Sequence, residues 1–192
     1  MMKVGLFFGS FNPVHVGHMV IANYFVSFTD LQQIWFVVSP HNPLKDKQSL
    51  LSDYHRLEIV NRAIENDSRF KASNIEFGLT QPNYTIHTLV HLSERNPHHQ
   101  FVLMMGSDNL QSFHKWKNYE AILEHYELYV YPRNGFDGGP FRDHSSVRWI
   151  DAPMMEISST FIRKSIAQGA DVRHFMPESA YTFIDEMNFY RK

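Results

Sequence analysis

Short apolar runs take turns with longer, mixed stretches along this chain. Val4–Phe8, Ile34–Val38, Phe101–Met105 and Leu128–Tyr131 are continuous apolar runs rich in β-branched and aromatic residues. Runs of that length predict strands buried on both faces of a sheet. Val16–Phe28, Ser52–Glu65, Thr85–Arg95 and Tyr119–His125 lie between the runs and predict helices, with Ser52 or Asp53 as the N-cap of the second. Phe70–Phe77 predicts an extended segment and Val147–Ile150 a weaker strand. Ser159–Gln168 and Pro177–Phe189 predict two closing helices. Strand alternating with helix predicts a parallel sheet with helices on both faces.

Two segments read as loops: Ser39–Leu51, with two prolines and three charges, and Asn134–Ser146, with three glycines and a proline. Both follow strands, and open α/β sheets bind ligands where loops leave the carboxyl ends of strands. A functional role is therefore expected for the first loop; the pattern favours no role for the second. No repeat, low-complexity tract or linker divides the chain, so residues 1–192 read as one domain.

Composition narrows the function classes. Hydrophobic content of 43% and charged content of 20% are ordinary for a soluble globular protein. No apolar stretch is long enough to span a bilayer, no signal-peptide pattern opens the chain, and no membrane role is expected. The absence of cysteine excludes disulfides and thiolate zinc sites and fits a cytoplasmic setting. A net charge of −2 argues against a nucleic-acid surface. The twelve histidines are a high number, and histidine in excess can bind anions or metals.

The strongest chemical signal is Gly9–His18, GSFNPVHVGH, directly after the first predicted strand. The order is strand, glycine turn, then a His-x-x-His pair at a helix start. Helix N-termini expose backbone N–H groups that bind phosphate. Gly9 lets backbone approach a ligand, and His15 and His18 can share one helix face. No Gly-Lys-Ser/Thr follows, which excludes a Walker A loop, and the glycine spacing excludes the dinucleotide-binding turn.

A second motif, Ile157–Arg163 (ISSTFIR), places Ser158, Ser159 and Thr160 at a helix start with Arg163 one turn on. Such hydroxyls cap the helix or bond phosphate oxygens, and arginine offers a forked donor set to the same anion. Gly106-Ser107-Asp108 directly follows the third strand, where a carboxylate can accept from ribose hydroxyls or cap a helix. Trp116 lies in HKWKNYE, where it either stacks on an aromatic ligand or is a partly buried structural residue. His87 and His91 have metal-ligand spacing, but Thr88 stands where the zinc-protease pattern needs glutamate, so no metal site is expected.

Gly9, Phe11, Pro13, His15, Gly17 and His18 match the Gly-x-Phe-x-Pro-x-His-x-Gly-His signature, so the chain resembles the nucleotidyltransferase superfamily. SPHNPLK after the second strand, Tyr84-Thr85, GSD with Trp116, YPRNG at 131–135 and ISSTFIR make it similar to bacterial nicotinate-nucleotide adenylyltransferases over nearly its whole length. That resemblance implies an α/β, Rossmann-like, doubly wound parallel sheet. It implies that Gly9, Ser10, Phe11, His15 and His18 hold ATP, with Ser158, Ser159 and Arg163 gripping the triphosphate and Gly106 and Asp108 on the adenosine side. Thr85 and Trp116 would meet nicotinate, His41 and Lys45 phosphate, and Arg133 would line the mononucleotide site. His15, His18 and Arg163 would be catalytic. Three positions depart from the family pattern: Asn12 for the more frequent Asp, Ser10 for Thr, and His87 where relatives often carry Asp.

The expected reaction is adenylyl transfer from ATP to nicotinate mononucleotide in NAD biosynthesis, giving nicotinate adenine dinucleotide and pyrophosphate, with Mg²⁺ accompanying ATP. The attacking phosphate is already anionic, so positioning and charge stabilisation carry the catalysis. Three other readings stay open: a sister transferase using phosphopantetheine, nicotinamide mononucleotide or another phosphate acceptor, a non-catalytic nucleotide-binding module, and an RNA-binding or interaction protein, against which the charge counts. The sequence leaves a homo-oligomer open as well.

Overall fold

The structure, a computed structural model, describes residues 1–40 and 50–191. Six strands form one parallel sheet: β1 (Met2–Gly9), β2 (Gln33–Val38), β3 (Phe70–Ser73), β4 (His99–Gly106), β5 (Glu127–Tyr131) and β6 (Val147–Trp149). Their order is β3-β2-β1-β4-β5-β6. Every neighbouring pair is parallel. This is the doubly wound order, whose direction of travel reverses between β1 and β4. The helices are α1 (Val16–Phe28), α2 (Asp53–Ile64), α3 (Thr85–Arg95), α4 (Ser107–Gln111), α5 (Tyr119–His125), α6 (Ser159–Ala167) and α7 (Glu178–Glu186).

The period of two along each strand divides the core. Phe7, Ile34, Phe36, Val38, Val102, Met104, Tyr129 and Tyr131 point to one face. They meet Ile21 and Phe25 of α1, Ile59 and Val60 of α2, Ile162 of α6 and Ile184 of α7 there. Val4, Leu6, Trp35, Val37, Phe101, Leu103, Leu128 and Val130 point to the other, against Leu89 and Leu92 of α3, Leu110 of α4 and Ile122 of α5. Both faces are covered, which is why the strands read as continuous apolar runs. Ser52 is the N-cap of α2, its side chain accepting from the His55 N–H at 3.3 Å.

The structure differs from the pattern in three places. Phe70–Phe77 is not extended throughout: β3 stops at Ser73 and a 3₁₀ turn, Ile75–Gly78, follows. That turn buries Glu76 beside Thr88, whose hydroxyl donates to its carboxyl at 2.8 Å. Gly106-Ser107-Asp108 opens α4, a helix too short to show a period, and Gly106 rather than a hydroxyl occupies its N-cap. The 134–146 loop carries a 3₁₀ turn at Gly139–Phe141. Gly138 takes φ 91° beside the Trp149 ring, which stands 2.6 Å from where a Cβ would lie.

Candidate active site

The carboxyl ends of β1 and β4 open into a cleft of about 610 Å³, at the point where the sheet reverses direction. Its lining brings together Gly9, Ser10 and Asn12 with Gly106 and Asn109, with Ser159, Thr160 and Arg163, and with Thr85 and Trp116. A second cleft of about 380 Å³ is lined by Asp108, Arg133, Met155 and Glu156. Residues far apart in the chain therefore converge on one edge of the sheet.

The phosphate loop is built from the inside out. Gly9 is glycine because the Phe11 ring stands 2.9 Å from where a Cβ would be. Phe11 itself, at φ 44°, is 2% exposed. Its ring packs edge-on against Phe7 at 5.7 Å and His18 at 5.1 Å. The phenyl group is core, so any contact from Phe11 to a nucleotide falls to its main chain.

His15 is the N-cap of α1, and its ring lies 3.7 Å from that of His18 at 32°. Phe7, which lines the main cleft, abuts His18 at 5.9 Å. Arg133, which lines the second cleft, acts electrostatically on both rings. Neither ring lines these clefts itself; Phe7, against His18, lines the first and Arg133 the second. Burial, with Arg133 adding to it, holds His15 down to about 4. Burial, His15 and Arg133 hold His18 well below the ordinary histidine range. Both rings are neutral at pH 7. His18 Nδ1 accepts the His15 N–H at 3.2 Å, which places the His18 proton on Nε2.

A titration follows. In the free protein the His15 ring resonances should move with a midpoint at about 4. Because the unfolded chain takes up protons near 6.5 that the fold refuses, stability falls as pH drops from that value through about 4. An NMR midpoint near 6.5 for His15 would contradict this picture.

α6 is locked onto the same loop. Ser158 caps it, accepting from the Phe161 N–H at 3.1 Å. Ser159 Oγ donates to the Pro13 carbonyl at 2.9 Å, and Arg163 Nη1 to the Asn12 carbonyl at 2.8 Å. Arg163 Nη2 also reaches Thr160 Oγ1 at 3.3 Å. The N-terminus of α6 is thereby held against the loop that leads into α1.

Other sequence-named residues separate by location. Trp116 is half-buried, tilted over Phe113 at 5.2 Å. Thr85 opens α3 and lines the same cleft as Trp116. Arg133 sits with Asp108, Nε to Oδ1 3.9 Å, rather than with Thr85 and Trp116. Its Nε, Asp108 Oδ1 and His15 Nδ1 are buried without hydrogen bonds, an arrangement native interiors rarely leave unmatched. His87 is exposed, edge-on to Tyr84 at 5.6 Å. His41 and Lys45 lie outside the described residues.

Sequence reasoning missed two buried charged residues here. Arg56 is 0% exposed. It donates to the carbonyls of Ser10 at 2.5 Å, Ser39 at 2.8 Å and Leu51 at 3.2 Å, and pairs with Asp53 at 2.6 Å. Its signal was an arginine on the apolar stripe of α2, three and four residues before Ile59 and Val60. Glu76, which lines the cleft, has its carboxyl raised by burial, with Thr88 and Ser39 hydrogen bonds opposing. No periodicity announced it.

A doubly wound sheet with a glycine-histidine phosphate loop at its switch point, faced by a hydroxyl-arginine helix, defines a nucleotidyltransferase. The cytidylyltransferase-like family model matches residues 6–165. A relative from Christiangramia forsetii, named "Probable nicotinate-nucleotide adenylyltransferase", is 54% identical over 191 residues, covering 98% of each chain. One of the same name from Flavobacterium psychrophilum is 51% identical over 193 residues, covering 100% of each. The chain belongs to the cytidylyltransferase-like family, and within it to the nicotinate-nucleotide adenylyltransferases. Among solved structures, a Plasmodium falciparum nicotinic acid mononucleotide adenylyltransferase complexed with NaAD matches with TM-score 0.79 at 18% identity, covering 99% of this chain and 98% of that one. A complex of that enzyme with APC gives 0.77 at 19% identity, with the same coverage. These two likenesses are of fold.

Proposed function

We propose that this chain, as a single nucleotidyltransferase domain over residues 1–192, transfers the adenylyl group of ATP to nicotinate mononucleotide. The observation that supports the reading best is the phosphate loop at the switch point of the sheet, with its neutral His15–His18 pair and with Arg163 held on the loop's Asn12 carbonyl. The acceptor's 5′-phosphate oxygen attacks the α-phosphorus in line. A new P–O bond forms, the bond to the bridging oxygen breaks, and pyrophosphate leaves with the electron pair.

His18 Nε2–H donates to the α-phosphate as its charge grows. Arg163 and the α6 N-terminus meet the departing pyrophosphate, with Ser159 and, from the other side, Gly9 and Ser10 shaping the channel. The unmatched polar atoms of Asp108 and Arg133 support adenosine in the second cleft. Thr85 and Trp116 then take the pyridine end, the ring stacking on Trp116. Among the described residues no cluster of His, Cys, Asp or Glu is placed to hold a metal ion. Mg²⁺ would accompany ATP as part of the substrate and offset phosphate charge. No helix among the described residues is long and apolar enough to cross a membrane. The substrates, and the absence of cysteine, suit a cytoplasmic setting.

An acceptor panel tests the reading. With ATP and Mg²⁺, pyrophosphate release should favour nicotinate mononucleotide over nicotinamide mononucleotide and phosphopantetheine by at least about tenfold in kcat/KM. Preference for phosphopantetheine would overturn the acceptor assignment, and no release with any acceptor would overturn the activity.

A further inference from the structure

We propose that Tyr190 is a positioning residue for the phosphate loop, acting through Asn12 on the carbonyl that aims Arg163. The proposal rests on the adenylyl-transfer reading for its kinetic consequence and on geometry alone for the rest. Asn12 is 3% exposed and sits between two parts of the site. Its side-chain oxygen accepts from the Tyr190 hydroxyl at 2.7 Å and from the Leu51 N–H at 3.3 Å. Its main-chain oxygen accepts from Arg163 Nη1 at 2.8 Å. One residue thus receives the segment after α7 on its side chain and the cleft's arginine on its backbone.

The amide at position 12 gains a reason from this arrangement. It accepts both donors without adding a net charge to a buried position. The segment bearing Tyr190 is shaped to deliver the hydroxyl. Asn188 at φ 53° and Tyr190 at φ 64° both take left-handed backbone, uncommon for a residue as bulky as tyrosine. Between them the Phe189 ring is held against His55 at 4.8 Å and Phe183 at 5.7 Å. Burial pushes the Tyr190 hydroxyl far above the ordinary phenol range, against the opposing pull of Arg163 and Arg56. It remains a donor at every working pH.

Removing that donor leaves Asn12 with one fewer anchor and frees its peptide to tilt. Arg163 follows its acceptor. Displacements of an ångström in a positioning group cost up to about a hundredfold in rate.

The test is Tyr190→Phe, which deletes one oxygen. Relative to wild type, kcat for pyrophosphate release should fall about five- to tenfold, with KM for ATP within about twofold and thermal unfolding shifted by only a few degrees. In an Asn12→Ala background the same substitution should cost nothing further, because the path through Asn12 is already broken. The Arg163 Nε–H resonance reads the effect without turnover: Tyr190→Phe should move it, and should leave it unmoved in the Asn12→Ala background. An unchanged kcat in an active enzyme, full additivity with Asn12→Ala, or an unmoved Arg163 resonance overturns the proposal. Wild-type protein that releases no pyrophosphate counts against the adenylyl-transfer reading instead, and the resonance then decides this one alone.

Discussion

Replacing His18 with alanine should lower kcat by about 10²- to 10³-fold while leaving KM for ATP within about threefold. The asymmetry follows from the state of the ring. His18 Nδ1 is occupied by the His15 N–H at 3.2 Å, so the neutral imidazole carries its one proton on Nε2. Burial, His15 and Arg133 together forbid the charged form. The group is therefore a fixed neutral donor, not a cation that grips ground-state ATP by charge. Its hydrogen bond strengthens as charge gathers on the α-phosphate, which is the condition for raising kcat rather than lowering KM. Alanine also removes the acceptor for the His15 N–H, at a cost of about 1 kcal/mol in stability. Asparagine, which keeps an acceptor and a donor, should recover part of the rate. Steady-state pyrophosphate release decides it. A kcat within about fivefold of wild type for His18→Ala would remove His18 from the transition state.

How much of this was readable in the sequence depends on the range of the interaction. The strands at Val4–Phe8 and Phe101–Met105 were visible because residues on both faces are buried, which leaves an unbroken apolar run. GSFNPVHVGH and ISSTFIR were visible because their residues act at fixed short spacing on two helix starts. Their joining, through Ser159 to Pro13 and Arg163 to Asn12, was not visible, since carbonyl acceptors have no residue signature. Phe11 shows the converse. The resemblance made it a nucleotide contact, while packing puts its ring between Phe7, Phe36 and His18. That Arg133 stands beside Asp108 was not visible either, because it follows from β4 and β5 being neighbours whose ends open together. The end of β3 was misplaced because burial of Glu76, a tertiary effect, turns the chain at Ile75–Gly78.

Arg56 carries the second large expectation, on stability. Arg56→Met should destabilise the fold by about 3–5 kcal/mol. The guanidinium serves three main-chain oxygens at once: Ser10 in the phosphate loop, Ser39 just past β2, and Leu51 just before α2. Methionine fills most of the stem's volume and supplies no donor. Each carbonyl left dry costs about 1–3 kcal/mol, less whatever water or local movement recovers. The charge partner adds little to this sum, because Asp53 is 31% exposed and can be solvated once released. Arg56→Lys should recover only part of the loss, since one ammonium lacks the planar fork that reaches carbonyls on three segments. The substitution should also slow turnover, because Ser10 moves when its anchor goes and the phosphate loop moves with it. Denaturant unfolding separates the two effects. A loss below about 1 kcal/mol for Arg56→Met would mean that water replaces the guanidinium at all three carbonyls and that the loop keeps its shape without it.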